Sequence, residues 1–331
     1  MPLITLRSNV TFTADESSTI LNAASAAGVS LPYSCKTGRC STCKCKVLHG
    51  STTALHPELG LSPKELQGGW VLSCVRTAGT DLVLDVEDLG GVVLNKPRTF
   101  PCRIKTIETP AKDTLKVQLM LPPSAEFSFL PGQYIDVIGP NGLRRSYSLA
   151  NADFSNRLLE LHIRRVDGGA MSDYWFNSAQ INDILRLNGP LGTFFLRKLA
   201  GLDLIFLATG TGIAPVKSML HSLAGYARDQ LPRSVHVIWG ARKREDLYLD
   251  ELNLSAGQEF IPVLSRPDGG WTHASGYVQN VLLERMPNLT DAVVYACGSD
   301  AMIREANTVL TQAGLPENRF YSDAFVCSSS Q

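Results

Sequence analysis

Four cysteines fall within eleven residues of the stretch "YSCKTGRCSTCKCK" (33–46): Cys35, Cys40, Cys43 and Cys45. A fifth, Cys74, follows in "WVLSCV". Cys35, Cys40 and Cys43 are spaced C-x4-C-x2-C, and thirty residues separate Cys43 from Cys74. At that spacing four thiolates can hold the two irons of a [2Fe–2S] cluster. The alternative is a four-cysteine zinc site, which usually shows two C-x2-C pairs, whereas Cys74 has no neighbouring thiol. Gly38 permits tight wrapping of the loop, and small Ser41 and Thr42 let backbone N–H groups approach inorganic sulfide. Cys45 is then a spare thiol at the start of a strand. Lys36, Arg39, Lys44 and Lys46 surround the group with no acid between 34 and 46. These cations either offset the charge of a bound cluster or receive an acidic partner.

Two further stretches carry chemistry. In "RRSYS" (144–148) Arg145 can neutralise a pyrophosphate, Tyr147 offers a flat face to an isoalloxazine, and Ser148 can hydrogen-bond its N5. Downstream, Gly169 and Ser172 in "HIRRVDGGAMS" open a helix whose N–H groups suit a phosphate. In "TGTGIAP" (209–215), Thr209, Gly210, Thr211 and Gly212 sit between a buried strand and a helix. Pro215 occupies the last glycine position of G-x-G-x-x-G, so the turn departs from that fingerprint and on its own fits any α/β turn. Gly240 and Gly298 follow strand carboxyl ends, where open sheets bind ligands. Cys297, read alone, is a buried core thiol. The six histidines show no ligand spacing, which argues against a second metal site.

A chain of 331 residues is too long for one ordinary core, so two or three domains are expected. Residues 1–90 alternate short β-like runs with one helix-like stretch, "TILNAASAAG". Residues 91–101 carry paired Gly and Pro and read as a linker. Residues 102–200 show period-two patterning in six short runs, a six-stranded antiparallel β-barrel interrupted by a helix near "SDYWFNS". Residues 201–331 repeat buried strand, Gly turn and helix, an α/β parallel sheet. Basic and acidic residues balance at 31 each, which argues against a nucleic-acid or polyanion binder, since those need a net basic face. The amino terminus has no signal-peptide core, and no apolar run approaches the roughly 20 residues of a membrane span. The expected location is the cytoplasm, where a dense set of cysteines means metal or redox chemistry more often than disulfides.

On "SCKTGRCSTCK" with Cys74, the first 90 residues resemble plant-type ferredoxin. On "RRSYS", "NGPLGTFFL", "TGTGIAP", "WGARKREDLYL", "ACGSDAMI" and "FYSDAF", the remainder resembles the ferredoxin–NADP reductase superfamily. The resemblance implies a multidomain fold, a β-grasp ferredoxin domain followed by a flavin barrel and a nicotinamide domain. It implies FAD in preference to FMN, and a Gly-Thr-Gly turn presenting N–H groups to the dinucleotide pyrophosphate. It places Cys297 beside the nicotinamide and Phe325 against the flavin, so that Tyr147, Ser148, Cys297 and Phe325 surround hydride transfer. Ser265 and Arg266 resemble the pair that grips the 2′-phosphate of NADPH, but Trp271 stands where that pattern has a tyrosine. Relatives with this domain order mostly use NADH, the expected donor, with NADPH the alternative. The implied activity is an oxidoreductase passing electrons from NAD(P)H through FAD and the cluster, one at a time, to a partner enzyme. Two groups share the order: reductases of 3,6-dideoxyhexose synthesis, which serve a pyridoxamine-phosphate sugar dehydrase, and reductases serving an oxygenase component. The motif combination is closer to the sugar-pathway group. A redox sensor that does not turn over NAD(P)H and a free-flavin reductase are the remaining classes. The first leaves the flavin and nicotinamide motifs unexplained, and the second leaves the cluster domain unexplained.

Overall fold

The computed structural model describes residues 1–249, 252 and 257–325. They form two compact units, Met1–Asn95 and Lys96–Phe325.

In the first unit a five-stranded sheet runs in the order Thr11–Thr13, Leu3–Leu6, Leu82–Asp85, Lys44–His49, Trp70–Leu72. Leu3–Leu6 and Leu82–Asp85 pair in parallel and the other neighbours are antiparallel, the β-grasp arrangement. Helix Ile20–Ala26 starts where Thr19 accepts the Asn22 N–H, and buries Ile20, Leu21, Ala23 and Ala24. These residues join Ile4, Leu6, Phe12, Leu72, Leu82 and Leu84 in one core, to which Cys43, Cys45 and Cys74 also belong.

The second unit begins with six antiparallel strands in the order Arg144–Ser148, Tyr134–Ile138, Ile184–Leu191, Arg98–Ala111, Thr114–Met120, Leu158–Arg164. A bridge between Leu149 and Leu161 joins the two ends and closes the barrel. Period-two burial in Thr114–Met120 and Ile184–Leu191 turns one face inward, as alternation dictates. The strand Arg98–Ala111 starts inside the stretch expected to be a linker, because Phe100 and Cys102 point into the barrel core. A parallel sheet follows in the order Ala274–Ser275, Gln258–Leu264, Ser234–Ala241, Asp203–Thr209, Ala292–Ser299, Phe320–Phe325. The first strand in sequence, Asp203–Thr209, lies in the middle, and successive connections leave it in opposite directions. That creates a switch point between the carboxyl ends of Asp203–Thr209 and Ala292–Ser299, where open sheets bind ligands. Among the described residues no helix is long and apolar enough to cross a membrane.

Candidate functional site

The loop between Cys35 and Cys43 is wound by three residues of positive φ: Lys36 (+56°), Gly38 (+74°) and Ser41 (+60°). At Gly38 a Cβ would lie 2.5 Å from the Pro57 carbonyl oxygen, so no side chain fits there without displacement. The Gly60 N–H donates to the Gly38 carbonyl at 2.8 Å, and the Ser41 hydroxyl donates to the Gly60 carbonyl, which ties residues 57–61 against the loop. The thiols come together as two pairs. Cys40 donates to Cys35, which pulls the Cys35 thiol down to about 5, and Cys43 donates to Cys74, which lowers Cys74. Backbone N–H groups of Cys35 and Thr37 point at the sulfurs of Cys40 and Cys35, each at 3.4 Å. Among the described residues no three His, Cys, Asp or Glu side chains close around a single metal ion. Two neighbouring thiol pairs with N–H groups aimed at sulfur suit a cluster in which each iron takes two cysteines, and do not suit one tetrahedral zinc. Cys45 faces the core, fully buried, and its thiol is pushed up to about 12 by that burial.

On the barrel, Arg145 is exposed, Tyr147 half-buried and Ser148 buried at the end of the strand Arg144–Ser148. The Trp175 indole N–H donates to the Tyr147 hydroxyl at 3.0 Å with the rings edge to face, which fixes the tyrosine plane. The Ser148 hydroxyl donates to Asp323 Oδ2 at 3.4 Å. Asp323 is 4% exposed and lies opposite Cys297 in the sheet register. Burial first, and then the Asp323 carboxylate, hold the Cys297 thiol well above its usual range and therefore neutral. Ser148, Cys297 and Asp323 thus converge from the barrel and two sheet strands. Asp323 was missed in the sequence because a lone acid in a short strand carries no signal of its own. Gly169 is the N-cap of helix Ala170–Asp173, and Ser172 sits inside that helix, its hydroxyl oxygen accepting the Val166 N–H at 2.8 Å.

The turn Gly210–Gly212 lies at the switch point and leads into helix Ile213–Ser222. A Cβ at Gly212 would stand 2.2 Å from the Cys297 carbonyl oxygen, and one at Gly298, with φ +137°, 2.2 Å from Thr209 Oγ1. The Ser299 N–H donates to Thr209 Oγ1 at 3.2 Å, and the Trp239 indole N–H donates to the Gly210 carbonyl at 2.9 Å. These contacts bring Thr209, Gly210, Thr211, Gly212, Cys297 and Gly298 into one ledge. Gly240 serves packing, since a Cβ there would meet Val278 Cγ1 at 2.8 Å. Ser265 and Arg266 are exposed beyond the strand Gln258–Leu264, and the Ser265 hydroxyl donates to the Ala241 carbonyl at 3.3 Å. Trp271 turns its indole N–H back to the Ala274 carbonyl at 2.8 Å. Phe325, at the end of the last strand, is 38% exposed.

A polar network that sequence reasoning also missed joins the barrel to this ledge. Glu160 Oε1 accepts from Lys217 Nζ at 2.7 Å and lies 2.9 Å from His162 Nε2. His162 Nδ1 lies 2.9 Å from the Tyr248 hydroxyl, and the Ser218 hydroxyl donates to the Asn151 carbonyl at 2.6 Å. Lys217 and Ser218 belong to the helix that begins at the Gly-Thr-Gly turn, so the network sets where that turn stands over the barrel. Desolvation opposes its charge, but hydrogen bonds from His162 and Lys217 outweigh it and hold the Glu160 carboxyl down at about 2. Burial lowers His162 and favours its neutral form.

Three family models match in succession: a 2Fe-2S iron-sulfur cluster binding domain over 4–78, an oxidoreductase FAD-binding domain over 101–196, and an oxidoreductase NAD-binding domain over 206–308. The chain is 41% identical over 97% of its length to the CDP-6-deoxy-L-threo-D-glycero-4-hexulose-3-dehydrase reductase of Yersinia pseudotuberculosis, covering 97% of that protein. It is 30% identical to the ferredoxin–NAD(P)(+) reductase component of the naphthalene 1,2-dioxygenase/salicylate 5-hydroxylase systems of a Ralstonia species, covering 98% of each. Among solved structures it superimposes on the cytochrome P450 reductase GcoB of Amycolatopsis with a TM-score of 0.76 at 28% identity, covering 99% of this chain and 100% of that one. The chain belongs to the family of three-domain [2Fe–2S]/FAD/NAD(P)H reductases of the ferredoxin–NADP reductase superfamily. It is an oxidoreductase with domains for a [2Fe–2S] cluster, FAD and NAD.

Proposed function

We propose that this reductase takes electrons from NADH and delivers them singly to a pyridoxamine-phosphate CDP-sugar 3-dehydrase, in the cytoplasm, during 3,6-dideoxyhexose synthesis. The observation that carries the choice is identity: 41% to the hexulose-3-dehydrase reductase against 30% to the dioxygenase-system reductase, each over nearly the whole chain. When bound, the flavin and cluster supply the conversion of a two-electron hydride donor into one-electron carriers. Cys35 and Cys40 would hold one iron, and Cys43 and Cys74 the other. Arg145 would meet the FAD pyrophosphate, with Gly169 and Ser172 at its phosphate. Tyr147 would lie against the isoalloxazine, and the Ser148 hydroxyl would hydrogen-bond its N5, turning its single proton there from Asp323. The N–H groups of Thr209–Gly212 and Gly298 would receive the dinucleotide pyrophosphate, while Gly240 shapes the crevice. The neutral Cys297 thiol would border the nicotinamide without competing as a nucleophile, and Phe325 would cover the flavin face. NADH is favoured over NADPH because the Ser265 hydroxyl already donates to a backbone carbonyl and Trp271 replaces a phosphate-binding tyrosine, leaving Arg266 as the remaining cation of that group.

The test is anaerobic. The protein is reduced with NADH, and reoxidation of its visible absorbance is followed on adding the dehydrase with its CDP-sugar. Fast reoxidation that needs the sugar is expected. No reoxidation there, with ready transfer to an oxygenase component, would move the chain to the oxygenase group.

A further inference from the structure

Glu58 places a carboxylate inside the first unit, its side chain 5% exposed. Its two oxygens reach to either side of Cys74. Oε1 accepts the Leu72 N–H at 2.7 Å, two residues before the cysteine. Oε2 accepts from Arg76, two residues after it, through Nε at 2.8 Å and Nη2 at 2.6 Å. The third arm of that guanidinium, Nη1, donates to Thr52 Oγ1 at 2.9 Å and to the Thr52 carbonyl at 3.3 Å. The chain just beyond Glu58 holds the other thiols: the Gly60 N–H donates to the Gly38 carbonyl at 2.8 Å, and the Ser41 hydroxyl donates to the Gly60 carbonyl. The Gly38 N–H in turn points at the Cys74 sulfur. Glu58 therefore joins the loop of Cys35, Cys40 and Cys43 to the separate piece of chain that carries Cys74. The strands Thr52–Ala54 and Arg76–Ala78 pair nearby, and the Leu55 N–H donates to the Val75 carbonyl at 2.8 Å, but that ladder stops short of residues 57–61. A pair this buried is a poor source of stability, because desolvation offsets its attraction and apolar side chains of similar volume hold a core as well. Apolar side chains cannot supply directed hydrogen bonds on both sides of one cysteine.

Resting on the proposed assignment of Cys74 as the fourth cluster ligand, we propose that Glu58 is a positioning residue for the cluster. With Arg76 it fixes Cys74 against the loop of the other three thiols, and the opposed charges of the pair cancel in the surroundings of the cluster. Leu72 is two residues from Cys74, so the carboxylate stands within about 15 Å of the Cys74 sulfur. A reduced cluster carries one more negative charge than an oxidised one. An unpaired carboxylate at that distance disfavours reduction, an unpaired guanidinium favours it, and the intact pair does neither.

The test is a mediated redox titration of the full-length holoprotein, with the reduced cluster followed by electron paramagnetic resonance. Glu58→Gln leaves the guanidinium unpaired and should shift the one-electron reduction equilibrium of the cluster at least roughly fivefold towards the reduced form. Arg76→Met leaves the carboxylate unpaired and should shift it by a similar factor towards the oxidised form. Those are the effects of one charge at ~15 Å in an effective dielectric of ~20. The double variant Glu58→Met/Arg76→Met should titrate within about twofold of the wild type, since no net charge is left behind. It should nevertheless lose its cluster to an iron chelator at least roughly tenfold faster, the lower end of what removing an outer partner of a metal ligand costs. Should either single variant fail to assemble a cluster, the double variant still decides. Shifts of the same sign in the two single variants, or a double variant that keeps its cluster as long as the wild type, would overturn the proposal. Cys74→Ala separates this from the ligand assignment: a wild-type cluster signal there sinks the assignment and the proposal together. Loss of the signal in Cys74→Ala beside an unaffected double variant sinks the proposal alone.

Discussion

Replacing Glu160 by glutamine keeps the size of the side chain and removes the negative charge that Lys217 and His162 share. The carboxyl is held at about 2 against an ordinary 4.5, which corresponds to about 3 kcal/mol of stability at neutral pH as an upper limit. Partial exposure of the site and the hydrogen bonds that glutamine retains reduce this to about 2 kcal/mol. For a unit of about 230 residues, that corresponds to a fall in melting temperature of roughly 4–8 °C. The pH dependence is the sharper signature. Because the folded pKa is depressed, the stabilisation is fully present above about 4.5 and is lost as pH falls towards 2. The gap between wild type and Glu160→Gln should therefore close below about pH 5, after widening slightly below about pH 6.5, because the variant loses the charge and hydrogen bond with which Glu160 raises His162. His162 works in the same direction at higher pH: its folded pKa is also depressed, so stability declines once pH drops below the ordinary histidine value near 6.5. Thermal unfolding of the FAD-loaded protein, followed by flavin fluorescence across this range, measures both effects. A variant that melts with the wild type at pH 7, or a gap that persists unchanged at acid pH, would refute the role assigned to this network.

Gly38→Ala should lose the visible absorbance of the cluster while retaining flavin, since the new Cβ meets the Pro57 carbonyl in a backbone conformation that L residues resist. Cys45→Ala should keep the cluster signal and cost about 1 kcal/mol for the small cavity, whereas Cys74→Ala should abolish the signal; electron paramagnetic resonance of the reduced proteins separates the two. Asp323→Asn should slow flavin reduction by NADH roughly tenfold or more in stopped flow, with FAD content unchanged, because Ser148 loses its charged acceptor. Arg266→Ala should leave kcat/KM for NADH within about twofold and reduce that for NADPH by roughly tenfold, as loss of one charge-assisted contact to phosphate would do.

The parts of this protein that were legible in its sequence are those whose chemistry is encoded over short stretches. Three cysteines of one loop, with glycine and small residues between them, announce a cluster site because one short loop must supply most of its thiols. Alternating apolar residues announce barrel strands because a strand has two faces, and a buried run before Gly-Thr-Gly announces a strand leading to a tight turn and a helix. Tertiary structure decided what depends on residues distant in the chain. Asp323 reaches Ser148 across 175 positions because the last strand pairs beside Cys297 at the switch point. Glu160 meets Lys217 only because helix Ile213–Ser222 settles on the barrel strand Leu158–Arg164, and in the first unit Glu58 meets Arg76 across 18 positions. Local pattern specifies which elements form, since hydrogen bonding and side-chain alternation act between near neighbours. Which charged groups finish within 3 Å of one another is set by how those elements pack, and packing is a property of the whole chain.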